Sequence, residues 1–484
     1  MKQSIAKDAL VLTGSKIITL IISMITVMLL SHFLTLEEYG TYSQILLVVN
    51  LVTTFILFGL PSSINYFLGR AENEIDKRDF LSTYFTLSLV VSFISGLILV
   101  LCVNYISNYF SNPLIKNFLF VLAVYPWSKI FLSCIDYICI CYKKVTSLMV
   151  FRITNSFSLL IIIFIVEEYN LSFSIYMFLY IIVQSIFTII IFLLVKSIAG
   201  NIKLFRLDLI LVKKILKFAG PVGLATAVGV ISIELDKLVI GWFFTTEELA
   251  IYTNASRELP ITVISSSMVA VVMPKLVSLL KNNKKNEAIS LWGSTTSISY
   301  IIICFFATIF WVFAEDIIVL LYSDKFLPGS DVFRVYTLVL LLRVTYFGII
   351  LNSIGKTKFI FYSSIASLIM NMLLNYPFYL VFGFLGPAIA TVCSIFLVQI
   401  IQLIITSYVT GIKFKYIFPW KNVLFITTVN ISFGLIFYYI NSHLDNEKYI
   451  EEFLNFIMLS VVWGGLYFGL MFNRMKKLWI TLKG

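Results

Sequence analysis

Nine ionisable residues interrupt stretches of sequence that are otherwise apolar: Lys16, Lys129, Asp136, Glu234, Asp236, Lys237, Arg257, Glu258 and Arg343. An ionisable group at bilayer depth costs on the order of 3 kcal/mol, so in that setting each marks a function or a partner. The five cations could hold an anion, and the four carboxylates could pair with them or carry a proton. Asp236 and Arg257 flank a turn near Thr246 and Glu247 at nearly equal separations. At about 1.5 Å per residue both lie roughly 15 Å below one surface, where they can pair, either as a structural ion pair or as working groups.

Lys129 stands seven residues before Asp136, on roughly the same helix face, so these two could also pair. Lys16, near the start of the first apolar run, suits a lysine that snorkels to the interface. Tyr125, Trp127 and Tyr137 surround Lys129 in sequence and could stack on sugar rings or belong to an aromatic belt. The chain offers no catalytic set. No glycine-rich phosphate loop of the GxxxxGK kind occurs, which argues against direct ATP hydrolysis. The two histidines, His32 and His443, lie far apart, and Cys139 and Cys141 have no histidine near them, so no metal is expected. Cys102, Cys134, Cys139, Cys141, Cys304 and Cys393 all fall in or beside apolar runs, where a thiol is a small hydrophobe.

The elements that must position these residues are membrane helices. Of the 484 residues, 60% are hydrophobic and 13% charged, against about a quarter charged in soluble chains. Apolar runs of about 20 residues, each long enough to span the hydrocarbon core, recur along the chain about fourteen times. Most of the 36 Lys and Arg fall in every second connection, which places both termini in the cytoplasm under the positive-inside rule. Lys116, Lys325, Arg334 and Lys448 are the exceptions, and Glu37, Glu38, Glu167, Glu168, Glu247, Glu248, Glu315, Asp316, Glu451 and Glu452 mark the outer side. The net charge of +11 is accordingly a topology signal and an attraction to anionic lipid, not a nucleic-acid surface. The first apolar run lacks a small-residue cleavage site and is expected to be retained.

An internal repeat divides the chain. Thr35, Glu37, Glu38 and Tyr42 recur as Thr245, Glu247, Glu248 and Tyr252, a constant offset of 210 residues. Lys129 followed by Lys143 and Lys144 is echoed by Arg343 followed by Lys356 and Lys358. Six spans separate the copies, so the repeats are parallel. The expected organisation is an all-α integral membrane protein: residues 1–195 as one six-helix lobe, 196–217 as a basic amphipathic linker on the cytoplasmic face, 218–410 as a second six-helix lobe, and 411–484 as a helix pair with a basic tail.

The strings Leu216 to Pro221, Leu235 to Gly241, the two Glu-Glu turns, Gly355 to Lys358, and Phe382 to Thr391 stand out. They resemble the polysaccharide transporter family of the multidrug/oligosaccharidyl-lipid/polysaccharide exporter superfamily. Together they cover essentially the whole chain, each being short. The resemblance implies a MATE-like fold with two lobes around a central cavity. It implies as substrate an oligosaccharide on undecaprenyl pyrophosphate, flipped to the outer leaflet of a bacterial inner membrane for O-antigen, capsule or a similar polymer.

On that footing Lys129 and Arg343, at matching positions of the two lobes, are expected to face one cavity and bind pyrophosphate, aided by Lys16, Lys237 and Arg257. Glu234, Asp236, Glu258 and Asp136 are the candidates for charge pairing or for coupling to an H+ or Na+ gradient. The partners expected are the lipid-linked oligosaccharide, membrane lipids, a polysaccharide polymerase and a chain-length regulator. Many relatives are counted at twelve spans and the peptidoglycan-precursor flippases at fourteen, which keeps that precursor open as a substrate. A multidrug exporter of the same fold would favour an acidic cavity, and a polymerase or ligase would need a larger outer loop than residues 315–331 supply.

Overall fold

The computed structural model describes residues 2–205, 207–443 and 449–483, so Lys448, Arg206 and the side chains of Glu451 and Glu452 lie outside the described part. Among the described residues every regular element is a helix. The chain divides into two compact units, Met1–Ala250 and Ile251–Gly484.

The first unit opens with α1 (Lys2–Phe33), α2 (Leu36–Leu57), α3 (Ser62–Arg70), α4 (Glu74–Leu101) and α5 (Val103–Tyr109). It continues through α6 (Leu119–Leu132), α7 (Ile135–Cys141), α8 (Val145–Glu168), α9 (Phe173–Ala199) and α10 (Leu209–Phe243). α1 packs on α8, and α6 lies between α4 and α9. α10 packs against α2, α3 and α4, so the span that follows the linker belongs to this unit. Its first residues come from the basic linker: Asp208 caps the helix by accepting from the N–H groups of Ile210 and Leu211.

The Thr-Glu-Glu repeat has a physical cause. Thr35 Oγ1 accepts from the Glu38 N–H at 3.2 Å while Glu38 accepts from the Thr35 N–H at 3.0 Å, a capping box that starts α2. Thr245 and Glu248 make the same reciprocal bonds at 3.2 and 2.8 Å and start α11 (Thr246–Ala255).

α2 and α3 form one apolar stretch, Leu36–Arg70, broken where Phe58 and Gly59 take positive φ of 46° and 72°. The break lies directly on α10. A Cβ on Gly59 would come within 2.5 Å of the Gly223 nitrogen, and one on Gly223 within 2.3 Å of the Phe58 carbonyl carbon, so only glycine fits at either place.

After α11, which straddles the division between units, the second unit contains α12 (Val263–Lys281), α13 (Lys285–Val312), α14 (Ala314–Tyr322), α15 (Ser330–Leu342) and α16 (Ile349–Ser353). It ends with α17 (Thr357–Phe382), α18 (Gly386–Thr410), α19 (Phe414–Ile417), α20 (Trp420–Ser442) and α21 (Tyr449–Lys483). α13 is its centre: α12, α15, α20 and α21 all pack on it. The C-terminal pair is anchored there by aromatic contacts, Trp463 stacking on Phe437 at 4.9 Å and Tyr467 on Phe305 at 5.4 Å.

Among the described residues, twelve helical stretches are long and apolar enough to cross a membrane. The expectation of about fourteen differs for two local reasons. The 54-residue stretch Thr357–Thr410 holds two helices, α17 and α18, packed on each other, and the broken pair α15 and α16 is not among the twelve.

Candidate functional site

Three helices of the first unit meet in a hydrogen-bonded charge network. Lys129, in the last turn of α6, donates from Nζ to Asn50 Oδ1 at 2.8 Å. Asn50, on α2, donates from Nδ2 to Glu234 Oε1 at 3.2 Å, and Glu234 Oε2 accepts from Lys237 Nζ at 2.7 Å. Glu234 and Lys237 lie one turn apart on α10, the spacing at which helix side chains meet. Their side chains retain 17% and 19% exposure, sheltered but within reach of a ligand. Counting Asp236 beside it, the cluster holds two ammonium groups and two carboxylates. The direct hydrogen-bond partner of Lys129 is a neutral amide, with the Glu234 carboxylate beyond it. Asp236 is buried beside this network and accepts from the Lys237 backbone N–H at 2.8 Å.

Asp136 is not the partner of Lys129. It is gripped by Arg152 of α8, through Nε to Oδ1 at 3.1 Å and through Nη2 to Oδ2, the parallel fork of a bidentate pair. The cause is local. The helix register that would stack Lys129 and Asp136 is interrupted at Ser133 and Cys134, where the Cys134 N–H bonds back only to Phe131. Asp136 thereby joins α7 to α8.

In the second unit, Arg343 opens the irregular segment 343–348 between α15 and α16. Its Nη1 forms an ion pair with Glu258 Oε2, from the break between α11 and α12. Broken helices at membrane depth are tolerated where other groups satisfy the freed backbone. Here Ser265 Oγ donates to the Arg343 carbonyl at 2.8 Å and Gln399 Nε2 to the Leu342 carbonyl at 2.5 Å, while Trp292 Nε1 holds the Thr345 side chain through Oγ1 at 2.9 Å.

The two units therefore share a plan. In each, the cation at the repeat-related position bonds to a polar side chain from an earlier span of its own unit, Lys129 to Asn50 and Arg343 to Glu258. The repeat offset of 210 carries Glu258 back to Val48, two residues before Asn50. Of the other expected residues, Lys16 is exposed on α1 and Arg257 is exposed beside Glu258. Neither joins these contacts, and Arg257 belongs to the second unit while Asp236 belongs to the first.

Tyr125 donates no stacking face to open space: its hydroxyl accepts from Tyr180 at 2.9 Å, and Tyr42, Tyr176 and Tyr180 pack together around it. Trp127 packs on Phe131, and Tyr137 against the core of the first unit. Asn50 and Arg152 escaped the sequence reading. Asn50 is uncharged, and a scan for charges passes over it; Arg152 lies near enough to the basic end of its span to pass for a topology residue.

Residues 29–331 match the profile of a family described as polysaccharide biosynthesis protein. The probable low-salt glycan biosynthesis flippase Agl15 of Haloferax volcanii is 25% identical over 206 residues, 41% of this chain. The chain spans 43% of the length of that relative. Among solved structures, the lipid II flippase MurJ in an inward closed conformation superposes with a TM-score of 0.72 at 18% identity, over 96% of this chain and 100% of that one. An inward-facing multidrug resistance MATE transporter of the MOP superfamily gives 0.66 at 16% identity, over 81% and 94%. At these identities the likenesses establish the fold alone: an all-helical architecture of the MATE and MurJ kind.

Proposed function

The chain belongs to the polysaccharide biosynthesis protein family, and from that premise we propose that it is a flippase for a lipid-linked oligosaccharide. The substrate of this reading is an oligosaccharide on undecaprenyl pyrophosphate. It moves by alternating access from the cytoplasmic to the outer leaflet of a bacterial inner membrane, for O-antigen, capsule or a similar polymer. Both termini are cytoplasmic, and a polymerase and a chain-length regulator act next. The protein is a transporter and not an enzyme, and it draws on an H+ or Na+ gradient without a bound cofactor.

The observation that carries this reading is the pair of repeat-related cations, each held by a polar side chain at or beside an irregularity in its helix. Substrate groups in secondary transporters bind where spans are discontinuous. A pyrophosphate carries more than one negative charge and suits cations in a sheltered, low-dielectric setting. Lys129 offers an ammonium whose direct hydrogen-bond partner is neutral, and Arg343 offers a guanidinium with only one terminal nitrogen engaged by Glu258. When a phosphate takes Arg343, Glu258 loses its counter-charge and is driven to take up a proton, which is how an ion gradient could drive the cycle. A multidrug exporter for hydrophobic cations would be poorly served by Lys129, Lys237 and Arg343.

The test is reconstitution. Proteoliposomes loaded on one leaflet with undecaprenyl-pyrophosphate oligosaccharide should expose it to an external glycosidase only when the protein is present, and faster under an imposed H+ or Na+ gradient. Export of cationic dyes with no movement of the lipid-linked sugar would overturn the reading.

A further inference from the structure

A cavity in the second unit, apart from the charges just described, has the form of a lipid site. Its deep part, about 830 Å3, is a trough between α13, α15 and α20, walled by Ala307, Thr308, Trp311, Leu338, Ile431 and Leu435. Along α13 the trough runs from Cys304 to Val312, eight residues or about 12 Å at helical rise, and Glu315 lies just past the end of that helix. That run approaches the roughly 15 Å depth of one leaflet of hydrocarbon.

The trough opens into a polar vestibule of about 450 Å3 that shares Val312, Glu315, Arg334 and Tyr438 with it. The apolar span Lys285–Val312 ends where the vestibule begins. The trough is thus at chain depth and the vestibule at headgroup depth.

The charges of the vestibule select the headgroup. Arg334 is clamped by two carboxylates, Nη1 donating to Asp331 Oδ1 at 2.7 Å and Nη2 to Glu315 Oε1 at 2.8 Å, with Nε directed at the Trp311 carbonyl at 3.4 Å. A guanidinium has five N–H donors, so two remain for a phosphate oxygen. Asp316 and Asp324 also line the vestibule, which with Glu315 holds three carboxylates to one guanidinium. An anionic headgroup meets net repulsion there. A zwitterion whose ammonium lies a few ångströms from its phosphate satisfies both signs.

We propose that this cavity holds one phospholipid with a primary-ammonium headgroup. Its phosphate sits on Arg334, its ammonium on Glu315 and Asp331, and one acyl chain fills the trough between α13, α15 and α20. Carboxylates recognise N–H donors directionally, which favours an ethanolamine over a choline headgroup. The bound lipid caulks the seam between the C-terminal pair and the rest of the unit.

Native mass spectrometry of the whole protein, delipidated in detergent and titrated with phosphatidylethanolamine, phosphatidylcholine or phosphatidylglycerol of identical chains, tests this. Phosphatidylethanolamine should give one adduct at least tenfold tighter than phosphatidylglycerol, and tighter than phosphatidylcholine. Glu315→Gln with Asp331→Asn should abolish that preference, and Leu338→Trp, which fills the trough, should remove the adduct. Elution as a single folded species confirms each variant. Tighter binding of phosphatidylglycerol or phosphatidylcholine, or an unchanged adduct in folded Leu338→Trp protein, would overturn the proposal. None of these readouts depends on transport.

Discussion

Arg343 and Glu258 form an ion pair that joins the end of one interrupted span to the break in another, eighty-five residues apart in sequence. The pair keeps its own unit's broken backbone in place and at the same time presents a cation. Both side chains are partly exposed, 40% for Arg343 and 27% for Glu258, so the pair can be opened by a competing anion.

Arg343→Ala strands the Glu258 carboxylate and is expected to lower the unfolding free energy by roughly 1–3 kcal/mol, below the cost for a fully buried pair because of the remaining exposure. Arg343→Ala combined with Glu258→Gln should recover most of that stability while transport stays lost. Arg343→Lys should keep part of the transport, having the charge without the fork. Thermal unfolding in detergent and the proteoliposome assay separate the two effects; full transport by Arg343→Ala protein would remove this residue from the site.

Lys129→Gln keeps a donor for Asn50 while deleting the charge, so the protein should fold normally and transport should fall by at least tenfold. Asn50→Leu should cost both, since Lys129 and Glu234 each lose a hydrogen bond in a sheltered place, about 1–3 kcal/mol. If Lys129→Gln protein transports at the wild-type rate, the first unit's network is purely structural.

How much of this was legible in the sequence differs from residue to residue. The apolar runs, the Thr-Glu-Glu repeat and the positions of Lys129 and Arg343 stand out because membrane burial leaves few ways to place a charge. The breaks do not. Residues 343–348 read Arg-Val-Thr-Tyr-Phe-Gly, with no proline and no run of polar residues, so nothing local distinguishes them from a continuous span. Their conformation is decided by distant side chains, Ser265, Gln399 and Trp292. Asp136 shows the same limit from the other side: its neighbour in sequence lost to Arg152, because two turn residues changed the helix register.

Gly223→Ala should destabilise the first unit by about 1–3 kcal/mol, since its Cβ would lie 2.3 Å from the Phe58 carbonyl carbon. Gly229→Ala, on the same helix, meets nothing within 4 Å and should be neutral or slightly stabilising through helix propensity. Equal unfolding temperatures for the two variants would show that the contact yields without cost.

That contact also gives α10 a mechanical character. The helix is 35 residues, about 52 Å, far longer than the hydrocarbon core needs. Gly223 divides it into an arm of about 21 Å toward the basic linker and an arm of about 30 Å to Phe243, with Glu234 about 16 Å along the second. Backbone presses on backbone at Gly59 and Gly223, with Pro221 beside them, so the helix is seated there like a beam on a fulcrum. A small push on the linker end, from the charge of the lipid surface or from a bound protein, would tilt the far end and with it the carboxylate that Asn50 and Lys237 hold. The linker would then be a handle on the charge network.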